Sequence, residues 1–206
     1  MATLAPKRSV MYKEAYPYQF ASDNYLMFLT DEIQCNGLLR NEYATQHGNA
    51  TPVFTFNPMM FDGGEVFPTN DVNSWKIYYE KIKGCNVIID YVSEQEKNAL
   101  LGQAMLLRGY YHLKLAMIYC QAYRASGVDP ENALGIPLML TMDLTDEYPE
   151  RPSLKASYAQ IEKDLLEAAS LLKENYTPES VYRVGDIAAY VLLSRFYLFR
   201  GEAERT

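Results

Sequence analysis

The stretch from Ala104 to Tyr123 is apolar on nearly every side, and this limits what the rest of the chain can be. At 3.6 residues per turn its Leu, Met, Tyr, Ile and Ala residues cover the whole circumference and not a single stripe. Such a helix either crosses a membrane or is packed by neighbours on several faces. Arg108, His112, Lys114 and Gln121 interrupt it, so a membrane span is excluded. The sequence therefore predicts a central helix within an all-α stack. Ser93 and Glu96 form the Ser-x-x-Glu capping pattern that opens this helix, which runs to about Tyr123.

The flanking segments supply the neighbours. Trp75, Tyr78, Tyr79, Ile82, Asn86 and Ile89 recur at helical spacing and predict a helix over 75–91, with Trp75 in the core. Asn86 is the polar exception on that face and reads as a buried amide bonded to neighbouring backbone. Ser153 caps a helix to about Lys173, along which Leu154, Tyr158, Ile161, Leu165, Ala168 and Leu172 repeat. Its other face carries Lys155, Glu162, Lys163, Glu167 and Glu174 and faces solvent. A last helix runs over 186–200, with Ala188, Leu192, Arg195 and Phe199 along one side and Val191, Phe196 and Leu198 adjacent. Ala168, Ala169, Ala188 and Ala189 are small enough for these two helices to approach closely. The pair resembles a tetratricopeptide unit of about 34 residues, and 75–123 reads as a second, stretched unit. Such units stack to bury their faces, so the last helix is expected to need a partner beyond Thr206. Arg108 or Arg195, if buried, requires a counter-charge, and Asp164 is the candidate. His112 shares a face with Arg108 and reads as a core histidine.

The first 72 residues are irregular, with Pro6, Pro17, Pro52, Pro58 and Pro68 among Gly37, Gly48, Gly63 and Gly64. A helix is predicted over 22–34, with Tyr25, Leu26, Leu29 and Ile33 on one face and Asn36-Gly37 as its stop. Residues 53–56 alternate like a strand, leaving room for one short hairpin, and 57–73 read as loop. Residues 124–153, with Gly127, Pro130, Gly135, Pro137, Pro149 and Pro152, form a connection longer than a bundle needs. Connections of that length are usually functional or contact surfaces.

Composition narrows the function. The chain has 206 residues and a net charge of −7, with 26 acidic against 19 basic side chains. That balance and the lack of a basic run argue against nucleic acid as a partner. Three Cys without a CxxC and two distant His give neither a disulfide framework nor a zinc site. Phosphate-binding, dinucleotide, metalloprotease and nucleophile-elbow motifs are absent, and no cofactor is implied. Nothing distinguishes one carboxylate pair from ordinary surface acids, so no catalytic residue is assigned. The start lacks a secretion signal, and the end follows directly on a helix, so truncation at both ends is expected. The 18 Tyr and 8 Phe offer flat apolar faces for helix packing or for a ligand.

Trp75, Tyr79, Ile82 and Asn86 fit a W-x-x-x-Y-x-x-I-x-x-x-N helix. Ala104, Leu107, Arg108, Tyr110, Tyr111, Leu113 and Leu115 fit an A-x-x-L-R-A-Y-Y-Y-F-x-L core helix, with Gly109 where alanine is usual. Gly135-Ile136-Pro137-Leu138, Arg151-Pro152-Ser153, then Tyr158, Ile161, Asp164, Leu165 and Ala168 follow in order. Arg183, Ala188, Ala189, Leu192, Leu193, Arg195, Tyr197 and Leu198 complete the pattern. In this order and spacing the chain resembles the N-terminal portion of the SusD/RagB-like family, the outer-membrane nutrient-binding lipoproteins of Bacteroidetes.

The resemblance implies an all-α fold of tetratricopeptide-like helix pairs with long irregular loops. Residues 1–73 would be its loop-rich region and 74–206 its helical scaffold. It implies capture of an oligosaccharide or related nutrient, without catalysis, for a SusC-like TonB-dependent outer-membrane transporter. It places the protein at the cell surface, held by a lipid anchor that this chain does not carry. The binding candidates come from the 37–73 loop: Arg40, Tyr43, Phe67 and Asn70. A rival reading from the residues alone is a cytosolic tetratricopeptide scaffold that binds peptides.

Overall fold

The computed structural model describes residues 9–17, 25–26, 29–31, 51–58, 74–92, 97–142 and 149–205. Among the described residues four long helices dominate: α1 (Ser74–Tyr91), α2 (Lys97–Tyr119), α3 (Leu154–Asn175) and α4 (Asp186–Arg200). A π-helical turn, Met11–Ala15, precedes them and a short 3-10 turn, Ala203–Arg205, follows. Among the described residues the only β pairing is an isolated bridge between Leu134 and Ser153. The chain divides into two compact units, one of Met1–Tyr16 with Tyr78–Thr206, the other of Pro17–Ile77.

In the larger unit α2 is central, as its all-round apolar surface requires. Ala104, Met105, Leu106, Leu107, Tyr111, Leu113, Leu115 and Ala116 are all buried. α3 runs antiparallel to it. Gly102 lies against Leu172, and Gly109 lies against Leu165 and Asp164. A Cβ at Gly109 would come within 2.9 Å of Leu165 Cδ2, so glycine lets the two helices close up there. This offsets the helix propensity that glycine gives up relative to alanine, about 1 kcal/mol.

α3 buries the expected stripe of Leu154, Tyr158, Ile161, Leu165, Ala168 and Leu172. Ser153 Oγ accepts from the Ala156 N–H at 3.1 Å and caps it. α4 returns antiparallel and completes a tetratricopeptide-like pair, but its buried face is Ala189, Leu193, Phe196 and Tyr197. That is one residue out of phase with the predicted line of Ala188, Leu192, Arg195 and Phe199. α4 is apolar nearly all round, so its own periodicity cannot choose a face, and the surface of α3 does. Arg195 is accordingly exposed, its guanidinium lying over the Phe199 ring. Gly201, at φ 71, ends the helix, with the Glu202 N–H bonded to the Tyr197 carbonyl.

Two other readings change. α2 ends at Tyr119, before the predicted Tyr123. Tyr123 instead packs on Tyr158 with ring centroids 4.7 Å apart, and Arg124 Nε donates to the Arg200 carbonyl. The strand expected over 53–56 is absent, because residues 51–54 are helical and 55–56 turn. The N-terminal turn joins the larger unit through contacts no local pattern signals. Tyr16 Oη donates to Gln103 Oε1 at 2.7 Å and accepts from the Val184 N–H at 3.2 Å. Tyr111 Oη donates to the Ala15 carbonyl, and Arg183 lies 3.7 Å over the Tyr12 ring. The capping box at 93–96 and most of the helix expected over 22–34 lie outside the described residues.

Candidate functional site

Arg40, Tyr43, Phe67 and Asn70 all lie outside the described residues. The described parts of the same unit include Tyr25, the 51–58 turn and the start of α1. Tyr25 is buried, and its hydroxyl sits 3.5 Å from Ser74 Oγ. Val53 is fully buried and anchors the turn. The Phe56 N–H donates to the Val53 carbonyl and the Asn57 N–H to the Pro52 carbonyl, closing the short helix. Thr55 Oγ1 donates to the Thr51 carbonyl at 3.0 Å. Phe56 has φ 50 and is 64% exposed. Trp75, expected in the core, is 37% exposed at the first turn of α1. A position at the helix start leaves part of the side chain open to solvent, which the spacing alone does not reveal. Pro52 is the sequence signal for the 51–58 segment: proline is favoured in the first turn of a helix, and apolar alternation over 53–56 obscures it.

The scaffold of the larger unit holds a buried polar cluster that fixes a loop. Arg108 donates from Nε to Asp164 Oδ2 and from Nη2 to Asp164 Oδ1, both at 2.8 Å. Its Nη1 donates to Asn86 Oδ1 at 3.0 Å and to the Leu140 carbonyl at 3.1 Å. Asn86 Nδ2 in turn donates to the Met139 and Thr141 carbonyls. Tyr79 Oη donates to the Pro137 carbonyl, and Asp90 Oδ2 accepts from the Met142 N–H. Residues 137–142 are thus pinned along α1 and α2 by backbone-directed bonds. Asp164 is the predicted partner of a buried arginine, and Asn86 is the predicted backbone-bonded amide. The motif glycine Gly135 has a steric reason: a Cβ there would lie 2.0 Å from Ser157 Oγ and 2.8 Å from the Ser153 carbonyl.

Burial is the main cause of the shifts among the described titratable groups of the helices. His112 is fully buried with no hydrogen-bond partner on either nitrogen, and burial, then the Arg108 charge, holds it down at about 3. Burial raises Tyr16, Tyr79 and Tyr111 well above the ordinary phenol range, and Tyr158 to about 12. Burial by itself would raise Glu162, but hydrogen bonds from Tyr197 and Arg200 hold its carboxyl below the usual range. Among the described residues no group of three His, Cys, Asp or Glu is placed to hold a metal ion. No described helix is long and apolar enough to cross a membrane.

The sequence matches the SusD-like family model, described as starch-binding and associating with the outer membrane, over residues 4–198. No curated protein matches it. Among solved structures it is similar to a putative sugar-binding protein of Bacteroides vulgatus, at 28% identity and a TM-score of 0.59. That match covers 75% of this chain and 33% of the other. A SusD-like carbohydrate-binding protein of the same organism aligns with all of this chain and 43% of its own, at 22% identity and a TM-score of 0.66. A laminarin-binding SusD-like protein aligns over 98% of this chain and 40% of its own, at 19% identity and a TM-score of 0.64. The chain therefore spans between 33% and 43% of the length of these relatives. With the family model spanning nearly its whole length and the helix pairs in place, the chain belongs to the SusD-like family.

Proposed function

We propose that this protein captures an oligosaccharide at the cell surface, without chemical turnover, and delivers it to a SusC-like TonB-dependent outer-membrane transporter. The match to a starch-binding, outer-membrane-associated family over residues 4–198 carries the reading. The membrane link is a lipid anchor and not a span. The glycan contacts are Arg40, Tyr43, Phe67 and Asn70, in the loop-rich 1–73 region. Their chemistry suits sugar capture, since aromatic rings pack against the C–H faces of pyranoses, and arginine and asparagine bond hydroxyls.

Residues 74–206 serve as scaffold. The buried Arg108 cluster supports this role, since it spends its polar groups on holding a loop and none on solvent-facing chemistry. The outward residues Ile187, Val191 and Leu198 of α4 are exposed and apolar, which supports packing by a further helix in a longer protein. Affinity electrophoresis of the full-length protein through gels containing starch, laminarin or xylan tests the reading. Retardation by at least one glycan, with no release of reducing sugar, is the expected result. Free migration in all three, or measurable hydrolysis, would refute it.

A further inference from the structure

We propose that Phe56 is a glycan-stacking contact, presented by the turn that closes the 51–54 helix. The inference rests on the glycan-binding reading above and adds a residue to it. The backbone of Phe56, at φ 50, lies in the left-handed region, and among the described residues no other non-glycine residue has positive φ. The bonds from Phe56 N–H to the Val53 carbonyl and from Asn57 N–H to the Pro52 carbonyl form the closing pattern whose left-handed position is normally glycine. Glycine would sit there without strain, and a side chain with a Cβ does not. The ring is 64% exposed, so burial does not offset that strain. Backbone and packing thus both favour a smaller residue, and the exposed aromatic face is what Phe56 contributes.

The turn also presents that face in a fixed position. Val53 of the same turn is buried, and Thr55 Oγ1 bonds back to the Thr51 carbonyl. A rigid platform loses little conformational entropy when a ligand stacks on it. Phenylalanine has no polar tip, so its ligand must offer an apolar ring face. Glucopyranose units do so, because their equatorial hydroxyls leave C–H groups on both faces. Xylopyranose units share this feature, so the class is chains of pyranoses with equatorial hydroxyls, glucans and xylans alike, with hydroxyl bonding supplied by neighbouring polar residues.

The test compares full-length wild type with Phe56→Gly and Phe56→Trp, using laminarin, amylopectin and xylan. The expected result is that Phe56→Gly melts at or above the wild-type temperature yet binds whichever of the three glycans the wild type binds at least tenfold more weakly. Phe56→Trp should bind within about threefold of wild type, since indole also stacks. Wild-type affinity in Phe56→Gly, with the wild type binding any of the three, would overturn the role of Phe56 and leave the glycan reading intact. A lower melting temperature in Phe56→Gly would make Phe56 a packing residue and also overturn it. No binding of any of the three by wild type would overturn the glycan reading, and this inference with it.

Discussion

Replacing Asp164 by asparagine removes the counter-charge of a buried arginine and leaves the shape of the side chain almost unchanged. The Asp164 side chain is fully buried and that of Arg108 is 7% exposed. The carboxylate accepts two bonds from Arg108 and a third from Gln160 Nε2 at 2.9 Å. Asparagine keeps one acceptor and turns an amide N–H₂ toward the guanidinium. The cost is that of an uncompensated buried charge, about 3–5 kcal/mol. For a domain of this size each kcal/mol lowers the melting temperature by about 2–4 °C, giving a fall of about 6–20 °C. Arg108 also holds the Leu140 carbonyl and Asn86, so hydrogen exchange at the Met142 amide should quicken in the same variant. Thermal unfolding by circular dichroism measures the first effect and exchange mass spectrometry the second. Glycan preference should not change, because Asp164 lies inside the scaffold. A melting temperature within about 2 °C of wild type would refute the pairing and its role in fixing the loop.

Other perturbations follow from the same packing. His112 stays neutral in the fold down to about pH 3, whereas the unfolded chain protonates it below about 6.5. Its contribution is therefore complete above pH 6.5 and lost as pH falls toward 3, at up to about 1.4 kcal/mol per unit. Urea titrations at pH 7 and pH 5 should show His112→Phe losing about 2 kcal/mol less than wild type, and equal losses would contradict this. Gly135→Ala drives a Cβ into Ser157 Oγ and the Ser153 carbonyl and should cost about 1–3 kcal/mol, so an unchanged melting curve would dispute the geometry. Cys85 is fully buried, and burial pushes its thiol well above the ordinary range. Iodoacetamide at pH 8 should modify it only as fast as the protein unfolds, and rapid labelling of the native state would show the core to be open there.

What is legible in the sequence follows from how strongly each residue's surroundings constrain it. The stripe of α3 is correct residue by residue, because one polar face and one apolar face leave a single orientation. Asp164 can be named as a partner because a buried arginine demands one. The face of α4 differs from its expected line by one residue, since a helix apolar on most sides takes its orientation from its neighbour. Tyr16 illustrates a different limit: its bonds reach Gln103 and Val184, 87 and 168 residues away, and no local pattern encodes them. Arg40, Tyr43, Phe67 and Asn70 rest on chemistry alone, as loop residues have no periodicity to say which of them converge. Phe56 is one of several aromatics in the 37–73 loop, and nothing in the sequence singles it out among them, for a related reason. Its signal is a backbone angle, and the sequence shows only an apolar alternation that suggests a strand.

The central claim is that this is a glycan-binding protein without turnover. Titration calorimetry of the full-length protein with laminarin, amylopectin and xylan, with reducing ends assayed in the same samples, tests it most directly. The account predicts saturable binding to at least one of the three and a constant number of reducing ends. No heat of binding with any of them, or a rise in reducing ends over time, would contradict it.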